Sequence, residues 1–295
     1  MKPVFPLTLC VLFLPLLSCE TSSPGDGQTF KVTPAAPAPP EPEQTLVKTA
    51  PPSVHAEAYV VINPRTGEIL LEKNGNQRRA VASTQKLLTA LVLLEGGNLE
   101  RTVTVSASDT YVEPTKMGIS AGERYRKRDL LEAMIVRSSN DIAKCLARNE
   151  SGSEAAFVQQ MNAKARQLGM NNSRFVNPHG LTAAGQYSTA HDIATLATHA
   201  YNNSTIRRFS GTREIVFSFP DGRQKVIYNT NKVLRMTPYC QGMKTGYTVP
   251  AGRCLVSVGQ KGIQRVICVV LGSQVPDIWE DSRALLHWAL DVEEI

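Results

Sequence analysis

The chain has 295 residues, of which 42% are hydrophobic and 20% charged. This is ordinary globular composition, enough for one large domain or two small ones. The formal net charge of +6 is spread along the chain, without an arginine-rich run or a basic patch interleaved with aromatic residues. Nucleic acid is therefore not a predicted partner.

Residues 1–19 are predicted to be a signal peptide. Lys2 gives a small positive start, and residues 4–17 are apolar but too few to span a bilayer comfortably. The stretch ends in Leu16-Leu17-Ser18-Cys19, which resembles the lipobox of bacterial lipoproteins. We therefore predict export, with lipidated Cys19 as the mature N-terminus and as a membrane anchor. Ordinary cleavage, with Cys19 lost or merely exposed, is the alternative.

A proline-rich segment follows at residues 20–52. It contains eight prolines among Ala, Ser, Thr and Glu, and such a composition cannot bury enough apolar surface to fold. We predict an extended tether between the anchor and a catalytic domain at residues 53–295. A spacer without function fits the same composition.

The folded part is predicted to begin with strands and continue with helices. Runs at 57–62 and 68–72 flank a Pro/Gly turn and predict a β-hairpin, and residues 101–106 predict a short strand. Helical patterns occupy 83–95, 129–136, 140–148, 154–168 and 192–201. Strand-like runs return at 214–219, 242–248, 254–258 and 265–271, and a helix at 280–290 closes the chain.

This order of elements predicts an α/β fold of the α+β type. The N- and C-terminal strands are expected to share one mostly antiparallel sheet flanked by helices. The segments between them are expected to form an all-helical lobe inserted between the two sets of strands.

Four cysteines lie within the predicted domain: Cys145, Cys240, Cys254 and Cys268. Each sits in an apolar run, so we predict buried free thiols, although export would permit disulfides. No Cys or His spacing suggests zinc, and neither a metal nor another cofactor is predicted.

The first chemical motif is Ser83-Thr84-Gln85-Lys86, at the start of the predicted buried helix. One helical turn would bring Ser83 Oγ and Lys86 Nζ within hydrogen-bond reach. A serine needs a base to become nucleophilic, and a lysine serves only if burial or a neighbouring cation lowers its pKa. The pattern alone is expected by chance about once in such a chain.

Two further motifs follow at a distance. Ser138-Ser139-Asn140 lies between two predicted helices, where Ser138 would relay a proton and Asn140 would hold a substrate amide, although Ser and Asn are also common helix caps. Lys244-Thr245-Gly246 lies on a predicted strand. There Lys244 would pair with a carboxylate, Thr245 would donate to it, and Gly246 would let a substrate backbone approach.

The three motifs occur together in order, 55 and 106 residues apart by their first residues. This combination characterises penicillin-binding proteins and class A β-lactamases. Over residues 55–290 the sequence resembles the D-alanyl-D-alanine carboxypeptidase family, the low-molecular-mass penicillin-binding proteins. Additional likeness lies in five segments: residues 175–181 (FVNPHGL), 229–231 (NTN), 242–248 (GMKTGYT), 251–256 (AGRCLV) and 285–288 (LLHW).

The resemblance implies a β-lactamase/transpeptidase-like fold and a serine peptidase at the extracytoplasmic face or in the periplasm. Its substrates would be peptidoglycan stem peptides ending in D-Ala-D-Ala, and β-lactams would inhibit it covalently. Ser83 would form the acyl-enzyme, Lys86 would accept its proton and Ser138 would pass protons. Asn140 and Lys244 would position substrate, while backbone N–H groups of Ser83 and Tyr247 would form the oxyanion hole.

Two departures from the family favour an alternative, a D,D-endopeptidase that cuts cross-links. Members often carry a basic residue before the aromatic that leads into the last helix, where it helps to bind the terminal carboxylate. Here that position is Ile278, ahead of Trp279. Many members also continue into a β-rich second domain, which we do not expect after residue 295.

Two further alternatives share the motifs. A class A-like β-lactamase needs a glutamate to activate the deacylating water, and no Glu-x-x-x-Asn follows the helix after Asn140. A catalytically idle wall-binding or β-lactam-sensing module would keep the fold without turnover, but sensors usually sit behind several transmembrane helices.

Overall fold

A computed structural model describes residues 50–292 of the chain. The predicted signal peptide, the lipidation site Cys19 and nearly all of the proline-rich tether lie outside the described residues. Within the described range, no helix is long and apolar enough to cross a membrane.

The strands are short in the middle of the chain and long near its end. They are β1 Ala58–Ile62, β2 Ile69–Lys73, β3 Thr102–Thr104, β4 Arg124–Arg126, β5 Glu214–Ser218, β6 Gln224–Tyr228, β7 Cys240–Thr248, β8 Gly252–Lys261 and β9 Gln264–Ser273. Five of them form the main sheet in the order β2-β1-β9-β8-β7. Every neighbouring pair is antiparallel, so the first and last strands of the chain meet between β1 and β9.

Most of the helices lie between β2 and β7. They are α1 Lys86–Glu95, α2 Ala107–Thr110, α3 Lys127–Arg137, α4 Asn140–Ser151, α5 Glu154–Gln167, α6 Ala190–Asn202, α7 Ser204–Gly211, α8 Val233–Met236 and α9 Asp277–Ala289. Helix α6 packs on β1 and β9 from one side of the sheet, and α9 packs on β8 and β9.

The alternation of side chains along β9 explains this layering. Ile267, Val269 and Leu271 belong to the core shared with the inserted helices. The intervening Val266, Cys268 and Val270 belong to a second core with α9. Since successive strand residues point to opposite faces, a strand that is apolar at every position is expected to be covered on both sides.

The structure confirms the α/β class and the shared antiparallel sheet, but it corrects two details. The middle region is not all-helical, because β3 pairs with β4 and β5 pairs with β6 in two small sheets. The run predicted at 214–219 therefore does not join the main sheet. It pairs with β6 instead. Phe217 is buried on one face of this hairpin and the neighbouring Val216 is exposed on the other, the pattern of a hairpin that is covered on one face only.

Ser83 lies in a 3-10 turn, Ala82–Gln85, and the α-helix itself begins at Lys86. Ala82 has a φ of +48°, an unusual backbone conformation for a residue with a side chain. The predicted helix start was therefore three residues early. The tighter turn still brings residues three apart onto the same face.

Candidate active site

A cavity of about 610 Å³ opens along β7, the edge strand of the main sheet. Five of the predicted site residues line it: Ser83, Ser138, Thr245, Gly246 and Tyr247. The other three, Lys86, Asn140 and Lys244, are almost wholly buried. The structure thus brings together elements that lie far apart in the chain: the 3-10 turn, the junction of α3 with α4, and β7.

Lys86 is in contact with Ser83. Its Nζ lies 2.9 Å from Ser83 Oγ, 2.7 Å from Asn140 Oδ1 and 2.5 Å from the backbone oxygen of His179. A neutral amine has two N–H donors and one lone pair. The two carbonyl oxygens cannot donate, so in the neutral amine they would accept both N–H groups and leave the lone pair for the Ser83 hydroxyl. That hydroxyl also lies 3.2 Å from the His179 carbonyl oxygen, to which it can donate.

The electrostatics favour this neutral form. Complete burial lowers the pKa of Lys86 well below its usual value, the nearby Lys244 ammonium lowers it further, and the Asp141 carboxylate opposes both. Lys244 is itself fully buried, and desolvation lowers its pKa to about 7. Two buried lysines that act on each other favour loss of a proton from one of them. Lys86 is the one expected to lose it, because both burial and the Lys244 charge lower its pKa.

The segment 177–181 supplies the third partner of Lys86. Asn177 Oδ1 accepts a hydrogen bond from the N–H of Gly180 (2.7 Å), while Asn177 Nδ2 donates to the carbonyl of Leu181 (2.8 Å). Gln85 Nε2 donates to the Asn177 carbonyl at 2.6 Å and ties the segment to the 3-10 turn. These bonds fix the His179 carbonyl beside Lys86.

The sequence pattern did not reveal this role. The FVNPHGL segment, residues 175–181, indicates only a likeness to the family. The His179 ring is neutral at ordinary pH because burial and the charges of Lys86 and Lys144 lower its pKa to about 3.

Two glycines permit close packing around the nucleophile. A Cβ at Gly246 would stand 2.8 Å from the backbone N of Ser83, and one at Gly180 would stand at the same distance from that atom. Both contacts are shorter than real Cβ atoms allow and involve rigid backbone. A side chain at either position would therefore push β7 or the 177–181 segment away from Ser83.

The Ser138-Ser139-Asn140 segment joins two helices. Ser138 ends α3 in the left-handed region (φ +69°, ψ 27°), and its hydroxyl makes no hydrogen bond with another described residue. Asn140 begins α4 and donates from Nδ2 to the Pro114 carbonyl at 2.5 Å. Since Asn140 Oδ1 already accepts from Lys86, its amide orients the base, and a substrate amide would have to displace the Pro114 contact.

On β7, the Thr245 and Tyr247 side chains face the cavity. Thr245 Oγ1 lies 2.6 Å from Thr230 Oγ1, and the half-exposed Tyr247 ring lies 4.1 Å beneath the Arg253 guanidinium. Lys244 does not line the cavity; its Nζ donates to the Thr245 carbonyl at 3.1 Å. The pairing of Lys244 with a carboxylate, which the sequence predicts, stays a prediction; the Lys244 charge lies behind the strand that lines the cavity.

The position that departs from the family, Ile278, is 1% exposed and belongs to the core beneath α9. Among residues 50–292, the cavity wall nevertheless carries four cationic side chains, Arg137, Lys232, Arg235 and Arg253, and no Asp or Glu. The cavity is therefore positively charged although position 278 carries no basic residue.

The four cysteines of the domain are buried free thiols, as predicted. Burial is the main cause of their raised pKa values. It raises the pKa to about 11 for Cys240 and Cys254, and the pKa values of Cys145 and Cys268 are raised still more. Among residues 50–292, no group of three or more His, Cys, Asp or Glu side chains is placed to hold a metal ion.

Beside the antiparallel sheet, a buried lysine lies 2.9 Å from a serine hydroxyl, an arrangement in which the lysine can accept the serine proton. The family model for D-alanyl-D-alanine carboxypeptidase matches residues 45–275. The chain belongs to that family.

Known proteins with similar sequences and structures carry the same name or a related one. D-alanyl-D-alanine carboxypeptidase DacF of Bacillus subtilis is 35% identical over 226 residues, which are 75% of this chain and 58% of that protein. The D-alanyl-D-alanine carboxypeptidase structure from Mycobacterium tuberculosis superposes with a TM-score of 0.79 at 29% identity, covering 84% of this chain and 96% of that one. The Streptomyces K15 DD-transpeptidase structure superposes with a TM-score of 0.77 at 27% sequence identity. The match covers 82% of this chain and 99% of that one.

Proposed function

We propose that this protein is a penicillin-sensitive serine D-alanyl-D-alanine carboxypeptidase that trims peptidoglycan stem peptides through an acyl-enzyme on Ser83. The observation that carries the proposal is the environment of Lys86. Lys86 is fully buried and its Nζ lies 2.9 Å from Ser83 Oγ. The carbonyl oxygens of the Asn140 side chain and the His179 backbone can accept both N–H groups of the neutral amine, which leaves its lone pair for the Ser83 proton.

In the acylation step Lys86 takes the hydroxyl proton while Ser83 Oγ attacks the carbonyl carbon of the penultimate D-Ala. The backbone N–H groups of Ser83 and Tyr247 would stabilise the developing oxyanion. When the C–N bond breaks, Ser138 passes a proton to the departing amine and D-Ala leaves. Lys86 then takes a proton from water, which attacks the ester and releases the shortened peptide.

The terminal carboxylate would accept from Thr245, with the Lys244 charge acting from behind the strand. A carboxylate that arrives there would raise the pKa of Lys244 and keep it protonated. That cation would in turn favour neutral Lys86. Binding of the substrate carboxylate would thereby favour the neutral form of Lys86 that can act as the base.

Release of D-Ala from a pentapeptide stem tests the proposal. We expect stoichiometric D-Ala and tetrapeptide, with the activity abolished by a covalently bound penicillin. Purified protein that binds penicillin covalently but releases no D-Ala from any stem peptide would contradict the proposal. Cleavage of a cross-linked dimer would then indicate the D,D-endopeptidase, and no cleavage would indicate an idle module.

The composition of the cavity wall argues against a class A-like β-lactamase. Such an enzyme needs a carboxylate that activates the deacylating water, and no Asp or Glu is found among the described residues that line this cavity. We therefore expect the penicilloyl ester to persist over many minutes. Rapid turnover of a bound fluorescent penicillin would favour the lactamase.

We also propose export, with residues 1–19 removed or processed as a signal, residues 20–52 as a tether and residues 53–295 as the peptidase domain. The lipobox-like sequence supports a diacylglycerol on Cys19. Mass spectrometry of the mature protein from lipoprotein-competent cells tests this; an unmodified N-terminus downstream of Cys19 would disprove it.

A further inference from the structure

A second cavity, of about 590 Å³, lies between the end of α6, helix α7 and the β8–β9 hairpin. Three arginines line it: Arg207 and Arg208 from α7, and Arg265 from β9. None of its lining residues lines the active-site cavity. Its wall on β7 is Gln241, near the start of that strand, whereas Thr245 lines the active-site cavity further along. The second cavity is therefore a separate feature of the fold.

This arginine pocket, named for Arg207, Arg208 and Arg265, carries positive charge without a close negative partner. Among residues 50–292, none of the three guanidinium groups has a carboxylate oxygen within 4.0 Å, and no Asp or Glu of that range lines the pocket. Arg208 acts from a longer distance on Glu132, where its charge opposes the rise in pKa that burial causes. Neighbouring positive charges repel one another and attract an anion.

Two of these arginines are held in place by the buried Tyr201. The guanidinium carbon of Arg265 lies 4.9 Å from the centroid of the Tyr201 ring, and that of Arg207 lies 5.5 Å from it. Arg207 Nη1 also donates to the Tyr201 carbonyl at 2.9 Å, and Arg265 Nη2 donates to Gln260 Oε1 at 3.2 Å. Cation–π contacts and hydrogen bonds restrict both side chains. Less conformational entropy is therefore lost when a ligand binds.

Hydrogen-bond donors remain for a ligand. A guanidinium has five N–H donors, and Arg207 and Arg265 each make only one side-chain hydrogen bond with the described residues. The exposed hydroxyl of Ser204 also lines the pocket. A phosphate group carries up to two negative charges and several acceptor oxygens, so it can accept from two guanidinium groups and a hydroxyl at once. A carboxylate offers one charge and two oxygens.

We propose that the arginine pocket binds a phosphate group, either as free phosphate or as the phosphodiester of a lipid headgroup. The inference does not depend on the acyl-enzyme chemistry at Ser83, because the two cavities share no lining residue. Both sources present the same tetrahedral anion to the guanidinium groups. They differ in charge, since free phosphate carries up to two negative charges near pH 7 and a diester carries one.

Isothermal titration calorimetry of the purified protein at constant ionic strength tests the proposal with two probes. They are inorganic phosphate and glycerophosphoglycerol, the headgroup of phosphatidylglycerol without its acyl chains; the probe that binds more tightly identifies the source. Two charge-assisted contacts predict a Kd of about 1 mM, and R207Q/R265Q should weaken binding at least about tenfold. The control R65Q/R78Q removes the same charge from exposed positions outside the pocket and should bind like the unaltered protein. Arg78 also lies over a tyrosine ring, at 4.8 Å.

A protein that binds neither probe saturably would overturn the proposal. So would undiminished binding by R207Q/R265Q, which would place the anion elsewhere, or an equal loss in R65Q/R78Q, which would indicate an effect of net charge alone. If the double variant fails to fold, the single R207Q variant decides, because Arg207 is exposed. That variant should weaken binding about 1.5- to 5-fold, and an unchanged Kd would overturn the site.

Discussion

Lys244→Met should make the protein more stable at neutral pH while it damages the active site. The fully buried Lys244 has a pKa of about 7 in the folded state, against about 10.4 in an unfolded chain. Between these values the unfolded state binds more protons, so stability rises with pH across that window. Below pH 7 Lys244 is protonated in both the folded and the unfolded state, and the buried charge then destabilises the folded state to its full extent.

The size of the effect follows from the two pKa values. The buried lysine costs at most about 4 kcal/mol at pH 7 and about 1.5 kcal/mol at pH 9.5. Methionine has a similar length and no charge, but it loses the hydrogen bond to the Thr245 carbonyl, worth about 1 kcal/mol. We therefore expect a net gain of up to about 3 kcal/mol at pH 7 that disappears near pH 9.5.

Urea unfolding of both proteins from pH 6.5 to 9.5 measures this difference. Lys86 keeps its own burial cost, so the variant should retain part of the pH dependence. A Lys244→Met protein that is less stable than the original at pH 7, or a difference that grows with pH, would refute the assignment of Lys244 as a buried, destabilising cation.

The remaining predictions concern the base, the close packing and the thiols. Lys86→Arg should lose about 10²–10⁴-fold in penicillin acylation, because a guanidinium stays protonated; a near-normal rate would exclude Lys86 as the base. Lys244→Met should move the acid limb of the pH–rate profile upward, since loss of the neighbouring cation raises the pKa of Lys86; a downward shift would contradict the coupling. Gly246→Ala should lower kcat/KM about 10²-fold by displacing β7 from Ser83, whereas the control Gly211→Ala, whose Cβ would meet only the Gln241 carbonyl at 3.1 Å, should not. Reduction should leave the Tm unchanged because the cysteines are free; a fall of more than about 10 °C would indicate a disulfide.

Much of the fold was predictable because its signals are local. The hairpin at 57–62 and 68–72, the buried Leu-rich helix and the last three strands carry periodicities or turn residues that nearby sequence determines. The Ser83–Lys86 contact was also predictable, because a spacing of three residues gives the same neighbours in a 3-10 turn and in an α-helix.

What was missed depends on packing between distant segments. The sequence pattern of residues 214–219 is the same for a strand of the main sheet and for a strand that pairs with β6. Which sheet it joins depends on its pairing partner in the folded protein. The role of the His179 carbonyl depends on a backbone position that Asn177 and Gln85 hold in place, which no side-chain pattern reveals. Likewise, Arg137 and Arg235 are ordinary surface residues in the sequence until the fold places them on one cavity wall.

The most direct test of the central claim is to label the protein with a fluorescent penicillin and map the modified peptide, alongside a Ser83→Ala variant. We predict a single acyl ester on Ser83 in the unaltered protein. We also predict that the variant, folded by circular dichroism, shows no covalent label and no release of D-Ala. Labelling of the Ser83→Ala protein at the original rate, or an ester mapped to another residue, would contradict Ser83 as the nucleophile.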